Sequence, residues 1–162
     1  MNKTNVFLQM RISSNHIRAV ISFFQSELHE LYSSSEINRL VELVFEAYQG
    51  YSRSELLKRR DETVNESDLL RYNFAVKDLK RGRPVQYILG KAWFFDLELQ
   101  VNEHVLIPRP ETEELVQWIT DDNIKAERTL TIFDAGTGSG CIALALASKL
   151  KNAHVFAGDV SE

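Results

Sequence analysis

The chain is 162 residues long, 44% apolar and 26% charged, with a net charge of −4. That balance suits a soluble protein with a packed core, as one ordinary domain or two small ones. No apolar run approaches the ~18 residues that cross a bilayer, and the opening MNKTNVFLQMRISS lacks the apolar segment and cleavage site of a signal peptide. The single cysteine, Cys141, excludes an internal disulfide framework and fits a reducing, cytoplasmic setting.

The first eighty residues have helical periodicity. Ile17, Val20, Ile21, Phe24 and Leu28 fall at spacings of three and four and form one apolar stripe. A second helix is expected from Ser33, which has capping-box spacing to Glu36; it carries Ile37, Leu40, Val41, Val44 and Tyr48 and stops at Gly50. Ser52 and Glu55 repeat the spacing before a short helix ending near Arg60. A fourth helix starts after Asn65, buries Leu69, Tyr72, Val76 and Leu79, and ends at Gly82. The short connections predict an antiparallel bundle over residues 1–82.

The pattern changes after Gly82. Pro84 opens one helical turn over Val85–Leu89. AWFFDLELQV reads as a hairpin bending near Asp96, within a linker over residues 83–107. Trp93, Phe94 and Phe95 are expected to bury at the domain junction. ETEELVQWITDDN forms a helix with acidic residues in its first turn. From Thr129 onward, TLTIFD, SGCIALALASKL and HVFAGD read as strand, helix and strand, a βαβ unit that opens a parallel sheet within a second domain over residues 108–162.

The strand-to-helix turn is DAGTGSG, with Gly136, Gly138 and Gly140 alternating with Thr137 and Ser139. Glycines take backbone angles closed to other residues and let a ligand approach the main chain, while the helix start offers unpaired amides. The spacing departs from the dinucleotide pattern G-x-G-x-x-G and lacks the Gly-Lys-Ser/Thr of a P-loop. An acid–x–Gly–x–Gly–x–Gly turn after a strand is similar to that of S-adenosylmethionine-dependent methyltransferases. Asp159 ends the second strand, 19 residues past Gly140, where a carboxylate can reach a ribose. Hydrogen bonds from ribose hydroxyls to that charge are worth roughly 1.5–3 kcal/mol each when shielded from water. The plainer readings are a tight connection and a helix cap.

A second motif narrows the resemblance. Residues 82–113 read GRPVQYILGKAWFFDLELQVNEHVLIPRPETE. With DAGTGSG and Asp159, this closely resembles the release-factor glutamine methyltransferases, the HemK/PrmC family. The resemblance implies a helical recognition bundle, a hairpin, and a Rossmann-like methyltransferase domain. It implies methyl transfer from S-adenosylmethionine, leaving S-adenosylhomocysteine, to the glutamine amide of the Gly-Gly-Gln loop in peptide chain release factors. Gly136, Thr137, Gly138, Ser139 and Gly140 would cradle the cofactor's methionine portion and Asp159 would take its ribose hydroxyls. Arg109, Glu111, Thr112 and Glu113 would support the pocket, Arg109 pairing with Glu111 or Glu113. For Arg109 a purely architectural role stands beside this, because Pro110 fixes the backbone at the helix entry.

The family aims its glutamine with an Asn-Pro-Pro-Tyr loop. This chain has only Pro84, Pro108 and Pro110 and ends at Glu162. We therefore expect a fragment with no catalytic residue of its own that does not methylate glutamine alone. A two-stranded parallel sheet is also expected to leave its faces uncovered, so residues 129–162 should be mobile or self-associate. The charge distribution bears on partners. Residues 1–90 hold 13 Lys/Arg against 11 Asp/Glu, and residues 91–162 hold 6 against 12. The acidic second part argues against direct DNA binding. An adenine-specific DNA methyltransferase shares the loop logic but not the PRPETE motif. A ribosomal-protein glutamine methyltransferase and a non-catalytic partner-binding module remain alternatives. His16, His29, His104 and His154 lack metal-ligand spacing, and Cys141 reads as a packing residue. Lys58, Arg59 and Arg60, with Lys77, Lys80, Arg81 and Arg83, read as solvated helix ends or a mildly basic face for a release factor or ribosome.

Overall fold

In the computed structural model, residues 12–126 and 128–161 are described. Residues 1–11 of the segment read above for a signal peptide (residues 1–14) lie outside them, as do residue 127 and Glu162. The chain divides into two compact units, ending at Leu89 and starting at Gly90.

The first unit is helical: α1 (Ile17–Leu28), α2 (Ser34–Gln49), α3 (Arg53–Lys58), α4 (Glu66–Lys80) and α5 (Val85–Leu89). The two capping boxes form as the sequence predicts. The Ser33 amide donates to Glu36 Oε2 at 2.8 Å and the Glu36 amide to Ser33 Oγ at 3.3 Å. Ser52 and Glu55 repeat this reciprocal pair at 2.9 and 3.4 Å. Their serine partners, hydroxyl first and backbone second, hold both glutamates below the usual carboxylate range. Gly50, at φ 71°, closes α2 by donating to the Glu46 carbonyl; a left-handed residue at that position is what a side chain would resist. The core gathers the expected stripes around aromatic rings. Tyr72 stacks on Phe45 with centroids 4.6 Å apart and meets Phe24 edge-on at 6.3 Å. Phe45 was not among the expected core residues, yet it is fully enclosed.

The second unit holds a hairpin of β1 (Lys91–Phe94) and β2 (Leu97–Gln100), then α6 (Pro110–Asn123), β3 (Leu130–Ala135), α7 (Cys141–Lys149) and β4 (Ala153–Gly158). β3 and β4 pair in parallel, with Ile132 opposite Val155 and Phe133 opposite Phe156. Phe94, Leu99, Val116, Cys141, Ala145, Leu146 and Leu150 form its core. Cys141 is thus a packing residue.

This division differs from a bundle ending at 82 followed by a separate linker over 83–107. Val85 is buried in the core of the first unit, and Phe94 and Leu99 are buried in that of the second. The hairpin is therefore part of the second unit's packing. Trp93 is a further correction, because it is 56% exposed. Side chains alternate across a strand, so Ala92 and Phe94 of β1 turn inward and Trp93 turns out.

Candidate cofactor site

The turn between β3 and α7 takes its shape from three left-handed glycines, Gly136 at φ 75°, Gly138 at 53° and Gly140 at 76°. Any L side chain at these positions would be strained. Yet a Cβ built on Gly136 or Gly138 would meet nothing within 4 Å. The glycines answer a backbone requirement, and the space above the turn is open to a ligand.

Backbone bonds then tie the turn to the end of β4. The amides of Gly136 and Thr137 both donate to the Gly158 carbonyl, at 2.8 and 3.1 Å. The Thr137 hydroxyl donates to Asp134 Oδ2 at 2.7 Å, so the turn's own acid is spent on holding it. Gly140 caps α7 without any side-chain bond to the helix start. That leaves the first-turn amides of α7 without a side-chain cap.

Asp159 faces this turn. Its Oδ2 accepts from the Gly138 amide at 2.8 Å and its Oδ1 from the Ser161 amide at 2.8 Å. These donors, Ser161 first and Gly138 next, hold the carboxyl below its ordinary value. The carboxylate is therefore charged at neutral pH, and its grip weakens as pH falls through that lowered value. Each oxygen keeps acceptor capacity for a further donor.

The PRPETE segment is arranged differently from expectation. Arg109 is exposed at the N-cap of α6, with Pro110 in the first turn. Among the described residues it pairs with neither Glu111 nor Glu113. Glu113 instead accepts the Phe95 amide at 2.7 Å, in the turn of the hairpin. Phe95 has φ 51°, the single positive φ outside glycine among the described residues, and Lys149 Nζ lies 4.4 Å from its ring centroid. Sequence reasoning missed this strut. A Phe-Asp turn carries no mark of a left-handed position, and the contact spans 18 residues. Glu111 is exposed, Thr112 and Ser139 are half-buried, and no hydrogen bond joins residues 109–113 to the glycine turn among the described residues.

The histidines are accounted for where contacts are seen: ring Nδ1 of His16 donates to the Asp61 carbonyl and that of His29 to the Ser26 carbonyl, each at 2.9 Å. Among the described residues no group of three His, Cys, Asp or Glu stands together as a metal site, and no helix is long and apolar enough to cross a membrane.

Comparison with known proteins adds to this geometry. Residues 19–90 match the PrmC N-terminal domain. A release factor glutamine methyltransferase of Flavobacterium psychrophilum is 44% identical over 141 residues, covering 86% of this chain and 50% of that protein. The enzyme of the same name from Chlorobaculum tepidum is 34% identical over 149 residues, 90% of this chain and 49% of its own length. That from Streptococcus pneumoniae is 50% identical over 86 residues, 53% and 30% respectively. The chain belongs to the PrmC family. It spans about half the length of the curated relatives it matches. The PrmC N-terminal match falls almost entirely on the helical unit, and the longer relatives extend through the glycine turn.

Proposed function

We propose that this chain supplies the partner-recognition bundle and the cofactor turn of a protein-glutamine methyltransferase acting on peptide chain release factors. The carrying observation is the Asp159 carboxylate set 2.8 Å from the Gly138 amide at the mouth of the triple-glycine turn. S-adenosylmethionine would bring an electrophilic methyl group on a sulfonium. The open main chain at Gly136 and Gly138 would accommodate its methionine portion, and Asp159 would accept from its ribose hydroxyls. The Rossmann-like reading of the βαβ unit belongs to this proposal, as does a cytoplasmic setting alongside the translation machinery. Arg109, Glu111, Thr112 and Glu113 would act by fixing the wall beside the turn, Glu113 through the hairpin it holds. The glutamine amide, a weak nucleophile, would need groups that grip and aim it. No Asn-Pro-Pro-Tyr sequence occurs in this chain, so we propose that it does not turn over alone.

The test uses amide spectra of the chain titrated with S-adenosylhomocysteine. Expected are saturable shifts at Gly136, Gly138 and Gly140, weakened about tenfold or more in Asp159→Asn, the loss of one charged hydrogen bond. Equal or greater shifts with a nicotinamide dinucleotide would overturn the reading. A chimaera joining this chain to the remaining half of the Flavobacterium psychrophilum protein should methylate a release factor at its Gly-Gly-Gln glutamine. The chain alone should not.

A further inference from the structure

The helical unit carries a groove of about 480 Å³ between α1 and α4. Phe23 and Val76 form its apolar wall, and Glu27, Lys77, Lys80 and Arg81 form its rim. Its most telling residue is Asn73. That side chain is only 6% exposed, yet its amide makes no hydrogen bond among the described residues. The amide nitrogen and oxygen themselves are open to the groove, so a guest that pairs with them exchanges water for protein bonds there. Asn73 lines the groove, where an incoming group can reach it.

We propose that this groove binds an extended, acidic segment of a partner protein. A carboxamide presents one acceptor and two donors, the complement of a peptide bond's N–H and C=O. Asn73 would therefore pair with the main chain of the segment. The flanking cations would take its carboxylates. Lys80 already bridges to Glu27 at 2.7 Å, whereas Lys77 has no ion pair among the described residues, and Arg81 meets Asp78 only at 3.3 Å. The rim therefore carries more positive than negative charge even after Glu27 is counted. Nucleic acid fits the groove less well. Glu27 repels phosphate, and the aromatic ring of the wall, Phe23, is 6% exposed and offers no face on which a base could stack.

The groove belongs to the helical unit and the glycine turn to the other, so the titrations of segment and cofactor read different amides and fail independently. The probe is an acetylated octapeptide of alternating glutamate and alanine, titrated into the chain and followed by amide spectra. Expected are saturable shifts of the Asn73 side-chain amide and of residues 76–81, at least fivefold weaker when glutamine replaces glutamate. Asn73→Leu should weaken binding at least tenfold with an unchanged helical spectrum. Lys77→Glu, at an exposed position, should do so by at least threefold and serves if the core variant misfolds. Shifts that avoid Asn73, equal affinity in both variants, or displacement of the peptide by inorganic phosphate or an RNA hexamer at lower concentration would each overturn the proposal.

Discussion

The helical unit encloses its aromatic centre from several helices, with Phe24, Phe45 and Tyr72 all shut off from water. The βαβ unit is built on a sheet with one covered face. Ile132 and Val155 turn toward α7 and its neighbours, whereas Phe133 and Phe156 stand opposite one another on the other face, 67% and 58% exposed. The same alternation that buries every second residue of a strand leaves the others in solvent. A bundle can complete a core from consecutive helices with short connections, but a parallel sheet needs covering on both faces. The expectation that both faces would be uncovered is therefore met on the face of these two rings and not on the other, which packs against α7 and its neighbours.

The largest effect that would test this contrast is Tyr72→Ala. Removing the ring from the centre of the bundle should cost about 3–5 kcal/mol, read as a lower midpoint of urea unfolding. A cost below ~1 kcal/mol would mean that the rings do not organise that core. Next comes Glu113→Ala. It leaves the Phe95 amide without its acceptor and should cost about 1–3 kcal/mol, with faster hydrogen exchange at that amide. Glu113→Gln keeps an acceptor and should recover most of the loss. Ser33→Ala removes one half of a capping box and should cost about 1 kcal/mol. The same boxes predict a pH dependence. Because Glu36 and Glu55 are held below their ordinary range, their stabilisation is fully present above that range and fades as pH falls through the lowered values. A bundle equally stable at pH 3 and pH 7 would contradict it. The smallest effect is expected from Phe133→Ser, within ~0.5 kcal/mol as for an exposed site. If copies of the chain associate through the bare face, sedimentation should show less self-association in this variant.

What the sequence made legible was local. Ser33 with Glu36, Ser52 with Glu55, Asn65 before α4 and Gly50 after α2 each act within four residues, so spacing alone revealed them. The glycine turn was legible for the same reason, and Asp159 because a βαβ unit brings the ends of parallel strands together. The hidden features depend on tertiary neighbours. Glu113 meets Phe95 only once α6 lies beside the hairpin. Asn73 reads as one polar residue on a helix until α1 closes over it. Trp93 was placed inside on hydrophobicity, whereas the strand's alternation put it outside.

The clasp between Asp159 and the Gly138 amide has a kinetic corollary. The carboxylate holds the Gly138 amide through one oxygen and retains lone pairs for a newcomer without releasing that amide. Occupation of the turn should then proceed in a single bimolecular phase, its observed rate rising linearly with guest concentration and reaching no plateau from a slow rearrangement.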